Sequence, residues 1–363
     1  MKSAAERATL FAHDQSEMHT VPNNIVFSRR SFILMSLTLA ACKGGSDIVE
    51  LSGSTMGTSY TVTGVDHNRN VDQAALKKAL ETSLAQVNAQ MSNWDASSEV
   101  SRFNALRSTA PVTVSEGFAE VVRASREINA ASAGQFDITL GPVIEAWGFG
   151  SKGGGRPATA EANALAAARK VSGQTAGLKV DGTQISKSHP EAELYLPSIG
   201  KGYGVDQMAK VVASFGISDF MVEIGGDLYV SGRNADSMDW QIGIETPTAY
   251  TRSAYQVASV TNMGMATSGD YRNYFERDGE RFSHIIDAHT GAPITHKTAS
   301  ATVLAENTML ADAWSTAMLV LGTKRGLEIA NQRDIAVLFI DRSTDAENGF
   351  ASVASDKFKQ LQA

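Results

Sequence analysis

ATSGDYRNYFERDGERFSHIIDAHTG, residues 266–291, is the stretch around which the chain is organised. It divides into two strand-like runs, and Asp278-Gly279 between them supplies a turn, because glycine takes positive φ without steric cost. Tyr271, Tyr274 and Phe275 on one side, with Phe282, Ile285 and Ile286 on the other, give enough apolar surface to pin a hairpin. The polar groups at its ends are not needed for that. Thr267-Ser268-Gly269-Asp270 precedes the first run, and His284 and Asp287 flank the end of the second. Hydroxyls, backbone donors, two carboxylates and an imidazole near one end of a rigid element suit a polar ligand. Periodicity taken alone favours a plain hairpin with polar ends.

Working outward, the chain has 363 residues, 43% hydrophobic and 20% charged, enough for one large domain or two interleaved ones. A net charge of −7 without a basic stripe gives no footprint for nucleic acid. The segment SRRSFIL, residues 28–34, looks like a twin-arginine export signal. The apolar run 32–41 has the length of a signal h-region and is too short to span a bilayer. It ends in Leu39-Ala40-Ala41-Cys42, which resembles a bacterial lipobox, where the cysteine is lipidated and becomes the new N-terminus. The alternative is a free thiol behind a plain signal peptide. Cys42 is the single cysteine, so no internal disulfide or thiolate metal site can form. The expected organisation is a signal peptide 1–41, a flexible tether 42–47 and a folded domain 48–363. The expected location is the bacterial cell envelope, lipid-anchored on the periplasmic face, with inner or outer membrane undecided.

Along the domain, residues 48–65 are strand-like with an interruption at Ser54-Thr55-Met56-Gly57-Thr58, either a bulge or a close backbone approach to a ligand. Asp72 caps a helix whose Leu76, Leu80, Leu84, Val87 and Met91 form a core stripe, and Ser115 caps the next. Residues 157–171 are an alanine-rich helix, and 178–186 a hairpin around Asp181-Gly182. In LYLPSIGKGYGVD, residues 194–206, glycines lead into a helical run 205–215, which either binds an anion or is a simple connection. Residues 220–230, 240–244, 257–261, 299–304 and 337–340 read as strands. In the helix 309–321, Asp312 and Thr316 lie four apart on one face. Their oxygens suit a hard cation such as Mg²⁺; the plainer alternative is a surface carboxylate and a threonine bonded to its own backbone.

In order, Met56-Gly57-Thr58, Met91-Ser92 through Arg102-Phe103-Asn104, Gly134 to Asp137, Gly141-Pro142, Trp147-Gly148-Phe149-Gly150, Gly200 to Asp206, Glu223-Ile224-Gly225-Gly226-Asp227, Thr267 to Tyr271, His284-Ile285-Ile286-Asp287, Thr290-Gly291 and Asp312 with Thr316 resemble the FAD:protein FMN transferase (ApbE-like) family. None of these is specific alone; their succession is. The resemblance implies an α+β fold of two interwoven lobes, mixed or antiparallel sheet with packed helices, and FAD bound at their junction. It implies Mg²⁺-dependent transfer of FMN from FAD to a Thr or Ser hydroxyl of an exported or membrane-bound flavoprotein, with release of AMP. Carried onto matching positions, Ser198, Asp312 and Thr316 are metal ligands. Met56, Trp94, Gln135, Phe136, Asp137, Lys201 and Ile286 line the FAD, and His284 handles the proton at the target hydroxyl. Should His284 be only a ligand contact, Asp287 and Asp270 are the next bases in the hairpin.

Two positions depart from the family pattern. Tyr195 stands where an aspartate is usual, and Ala288-His289 where proline and a basic residue are common. Two competing functions share the same sequence. One is an FAD pyrophosphatase with water as acceptor; the other is an FAD-binding lipoprotein without turnover.

Overall fold

The computed structural model describes residues 47–150, 162–249, 253–277, 280–346 and 348–363. The segments expected to be an export signal and a tether up to residue 46, Cys42 among them, the first residues of the helix expected over 157–171 and the Asp278-Gly279 turn lie outside the described residues.

Eight strands make one sheet, and their spatial order is their order in the chain: Asp47–Thr55, Thr58–Asp66, Asp219–Ile224, Asp227–Ser231, Met263–Gly269, Thr298–Ala305, Ala336–Arg342 and Phe350–Ala354. Each neighbouring pair is antiparallel, so within this sheet the mixed alternative does not arise. The first turn explains the interruption in 48–65. Thr55 pairs with Thr58, and Met56 and Gly57 between them both take positive φ, 49° and 71°. Positive φ at both central residues matches the twist of the flanking strands.

Between the second and third strands, residues 67–218 leave the sheet and build a second lobe. It holds the helices Gln73–Met91, Glu99–Ala105, Glu116–Ala131, Gly141–Ala146 and Ala162–Val171, with a small sheet of Val112–Thr113, Gln184–Ser186 and Lys179–Asp181. Side-chain oxygens start three of these helices: Asp72 accepts from Ala74 and Ala75, Ser98 from Ser101, and Ser115 from Phe118. The lobe's core includes Phe103, Phe118, Phe136, Leu194 and Leu196, and it also takes Met309, Ala313 and Ala317 from the helix Thr308–Arg333. The other face of that helix packs on the sheet through Ala311, Met318 and Leu319 against Ala301, Val303 and Phe339. That helix thus serves two cores. Helices Gln73–Met91 and Gly200–Ser214 are shared likewise, with Leu76, Leu80, Val205 and Met208 packing with Val62 and Val222 of the sheet while Met91 and Tyr203 join the second lobe's core. These shared helices interweave the lobes. The opposite sheet face is covered by the hairpin Trp240–Glu245 and Ala254–Val260, where Trp240, Ile242 and Ala258 meet Leu304, Leu338 and Phe358.

Three elements differ from their sequence expectations. The helix Gly200–Ser214 starts five residues earlier than the run 205–215, with Gly202 and Gly204 inside it. These glycines are there for proximity: a Cβ on Gly202 would lie 2.2 Å from the Thr308 carbonyl oxygen, and one on Gly204 2.8 Å from Met56 Cε. Thr267 and Ser268 belong to the sheet strand Met263–Gly269 rather than preceding the first strand, and the hairpin proper is short, Tyr274–Arg277 with Glu280–Ser283. The helix expected over 309–321 continues to Arg333 past a break at Gly322, where φ is 69°. The tail carries the edge strand Phe350–Ala354 and a helix Asp356–Leu361 capped by Ser355. Among the described residues, no helix is long and apolar enough to cross a membrane.

Candidate active site

The helix Gly200–Ser214 crosses the first turns of Thr308–Arg333 at Gly202. With no side chain in the way, the Gly202 N–H donates to Asp312 Oδ2 at 2.9 Å. Lys201, next along, pairs through Nζ with the carboxylate of Asp227, which is only 2% exposed. Asp227 Oδ1 in turn accepts from Thr267 N–H at 3.4 Å. On the neighbouring residue, Ser268 Oγ lies 3.0 Å from Thr316 Oγ1 and 2.8 Å from Ser315 Oγ. The Ser315 hydroxyl also reaches the Asp312 carbonyl at 2.9 Å. Two crossing helices and two sheet strands therefore bring Lys201, Asp227, Ser268, Asp312 and Thr316 into one connected group.

Electrostatics in this group is set by burial. The Asp312 carboxyl is pushed above the usual carboxylate range by loss of solvent, opposed by the charge of Lys201 and the Gly202 N–H. Lys201 is held below the usual ammonium value by the same cause, opposed by Asp312 and Glu223. A buried carboxylate with one hydrogen-bond donor and two nearby hydroxyls is an oxygen-only donor set. It fits a hard divalent cation that draws its remaining oxygens from a bound phosphate. Among the described residues, no three His, Cys, Asp or Glu side chains gather into a complete protein cage. Ser198, half-exposed in the turn before Gly200, is not in hydrogen-bond contact with Asp312 or Thr316.

His284 follows the second hairpin strand. Its Nδ1 lies 2.9 Å from the carbonyl oxygen of Asn273, and its own N–H donates to the same oxygen at 3.1 Å. A carbonyl only accepts, so Nδ1 carries the proton and the neutral ring leaves a lone pair on Nε2. Burial lowers the imidazole pKa, opposed by the Asn273 carbonyl and the charge of Asp270. Phe149 stands against the ring with centroids 6.3 Å apart, at the end of a row of aromatic contacts through Phe275 and Phe282 to Trp147. The alternative bases are committed elsewhere. Asp270 holds Arg342 through both oxygens at 3.0 and 2.6 Å. Asp287 Oδ1 accepts from the His289 and Thr290 N–H groups at 2.9 and 2.8 Å.

The end of the hairpin also receives the loop around Gln135. Gln135 Nε2 lies 3.4 Å from Asp287 Oδ2 and 3.3 Å from His289 Nδ1, while His289 Nε2 reaches the Ala133 carbonyl at 3.1 Å. His289 therefore works as a hydrogen-bonding spacer between two distant segments. Gln135 Oε1 is buried and finds no partner among the described residues, an orphaned acceptor of the kind a ligand N–H or O–H satisfies.

The remaining predicted contacts separate into two kinds. Met56 lies against Gly204 at the crossing, and Trp94, 63% exposed, stands 6.0 Å from Tyr195 between ring centroids. Burial, reinforced by the charge of Glu145, pushes the Tyr195 phenol up to about 12. Tyr195 therefore supplies a neutral ring where a charge was expected. By contrast, Phe136 is 1% exposed within the second lobe's core, and Ile286 packs in a small cluster with Leu140 and Val143. Both oxygens of Asp137 have protein partners: Oδ1 accepts from the Thr139 N–H and hydroxyl, and Oδ2 from the Thr175 N–H, 38 residues on, and from Asn129 Nδ2. In this structure the Phe136 ring and the Asp137 carboxylate are thus engaged within the protein. The sequence reading missed Asp227 and Ser315 as members of the site. Asp227 had a signal in Gly225-Gly226, since a tight turn delivers it to the start of a buried strand.

Comparison with known proteins gives one consistent result. The model of the ApbE family matches residues 56–339. A FAD:protein FMN transferase of Haemophilus influenzae is 40% identical over 91% of this chain and 96% of its own length. A FAD:protein FMN transferase of Vibrio cholerae is 39% identical over 89% and 95%. The solved flavin transferase ApbE from Vibrio cholerae superposes with a TM-score of 0.79 at 37% identity, covering 87% of this chain and 99% of that one.

Proposed function

Since this chain belongs to the ApbE family, we propose that it is a flavin transferase that moves FMN from FAD to a Ser or Thr hydroxyl of an acceptor protein and releases AMP. The observation that carries this reading is the joined group of Lys201, Asp312 and Thr316 held at the Gly202 crossing, with His284 as a neutral base on the hairpin that springs from the same strand. Asp312 and Thr316 would hold Mg²⁺, which when bound supplies charge neutralisation at the pyrophosphate. Lys201 is suited to bind the same phosphates. Asp227 keeps its ammonium in place.

In the chemical step, the acceptor hydroxyl oxygen forms a bond to the FMN phosphorus while the bond from that phosphorus to the AMP oxygen breaks. The hydroxyl proton passes to His284 Nε2, and AMP leaves with its phosphate oxygen. A protein hydroxyl is a poor nucleophile at neutral pH, so a base within hydrogen-bond reach contributes typically about 10² to 10⁴ in rate. Gln135 Oε1, an unfilled buried acceptor, is suited to a donor on the flavin nucleotide. With SRRSFIL and Leu39-Ala40-Ala41-Cys42 ahead of the domain, the enzyme acts on exported or membrane-bound flavoproteins from a lipid anchor on the periplasmic face.

The test is a Mg²⁺ titration of AMP release and acceptor labelling by the wild type and Asp312→Ala. The substitution is expected to abolish the Mg²⁺-dependent turnover with the fold retained. Identical titrations would end the metal assignment. AMP released at full rate without an acceptor would replace transfer by hydrolysis.

A further inference from the structure

Asp206 lies one turn beyond Gly202, and its carboxylate reaches out of its own helix. Oδ1 accepts from the Thr308 N–H at 2.8 Å and Oδ2 from the Met309 N–H at 2.9 Å. These are the first two donors of the helix Thr308–Arg333. The third, Leu310, donates to Asn307 Oδ1 at 2.9 Å, and the fourth, Ala311, to the Asn307 carbonyl at 3.2 Å. The three leftover N–H groups of the first turn, those of Thr308, Met309 and Leu310, are thus filled by side-chain oxygens, and Ala311 makes the first intrahelical bond. That first turn therefore offers no free N–H to a phosphate, and no step of the transfer needs Asp206.

What Asp206 does control is where the helix begins. Asp312 and Thr316 follow one and two turns after Thr308, so their oxygens inherit the position of that first turn. Gly202 supplies a second fixed point. Its N–H holds Asp312 Oδ2, and a Cβ there would meet the Thr308 carbonyl oxygen at 2.2 Å. The two helices are therefore tied at two points one turn apart, the second at Asp312 itself, with Thr316 one turn beyond it.

We propose that Asp206 is a positioning residue for flavin transfer, setting the height and rotation of the helix Thr308–Arg333 so that Asp312 and Thr316 face the phosphates bound by Lys201. This rests on Asp312 and Thr316 being cation ligands. Displacements of about 1 Å in such a group cost about 10² in rate when the reacting geometry is tight.

The experiment uses the whole folded domain carrying Asp206→Ala or Asp206→Asn, assayed below each variant's melting temperature. Two quantities are read: kcat and KM for FAD in transfer to an acceptor domain, and the rise in melting temperature caused by Mg²⁺ with FAD, against an EDTA reference. Asp206→Ala is expected to lower kcat by at least about tenfold, with KM for FAD within about twofold. It should also lose the Mg²⁺-dependent part of the melting shift while keeping the part seen in EDTA. Asp206→Asn retains one acceptor oxygen and should recover part of both; it carries the measurement if the alanine variant does not fold. A variant that melts lower yet keeps wild-type kcat and the wild-type Mg²⁺ shift would overturn the proposal, leaving Asp206 a helix cap only. If the wild type itself shows no Mg²⁺ shift, the metal reading of Asp312 fails separately. The kcat loss at constant KM then decides for or against Asp206 alone.

Discussion

At His284, the Asn273 carbonyl 2.9 Å from Nδ1 fixes the tautomer, and burial lowers the pKa from its ordinary 6.5. The neutral ring is the active form, so activity falls only as pH drops through the lowered value. The acid limb of kcat/KM should lie below pH 6.5, with a plateau through neutrality. His284→Ala should cut kcat by at least about tenfold, spare FAD affinity and erase that limb. A variant that binds FAD much more weakly and recovers full rate at saturation would make His284 a ligand contact. At this scale the sequence singled out candidate residues but not which of their atoms are free. His284, Asp312 and Thr316 stood out by type and spacing, and Lys201 through the family resemblance. That the Asp137 oxygens are consumed by Thr139 and Thr175, and that the Phe136 ring is core, depends on partners up to 38 residues away. Local pattern carries no trace of such pairings.

Among the elements, the crossing of Gly200–Ser214 over Thr308–Arg333 makes two glycines unequal. A Cβ on Gly202 would lie 2.2 Å from the Thr308 oxygen and 2.7 Å from its carbon, both backbone atoms that can yield only if the helices part. On Gly204 the nearest atom is Met56 Cε at 2.8 Å, the free end of a flexible side chain. Gly202→Ala should therefore destabilise by about 1–3 kcal/mol, the range for overpacking, and depress flavin transfer; Gly204→Ala should do markedly less of both. Urea unfolding of the two variants checks this, and equal midpoints would contradict the crossing geometry. Helix periodicity in 73–91 and 116–131 was legible because each has a capping side chain and a one-sided apolar stripe. The start of Gly200–Ser214 was not, because glycine argues against a helix interior by about 1 kcal/mol. Only the neighbouring helix explains why that cost is accepted.

For the whole molecule, the sheet keeps chain order while residues 67–218 loop out as a second lobe, and the helix Thr308–Arg333 joins both cores. The α+β class and the interleaving were legible from the succession of motifs. The eight-strand order was not, since register between segments 153 residues apart, such as Asp66 and Asp219, is a tertiary fact. The SRRSFIL segment and Cys42 ahead of this succession carry the proposal of where the domain works. Cys42→Ser should release it from the membrane fraction, whereas unchanged fractionation would remove the lipid anchor from the account. The most direct test of the central claim is intact-mass analysis of an exported flavoprotein domain incubated with this enzyme, FAD and Mg²⁺. The account predicts one FMN attached to one Ser or Thr, one AMP released per FMN attached, both formed at least about tenfold more slowly with His284→Ala, and neither in EDTA. AMP release with the acceptor mass unchanged, or bound FAD with no turnover, would contradict it.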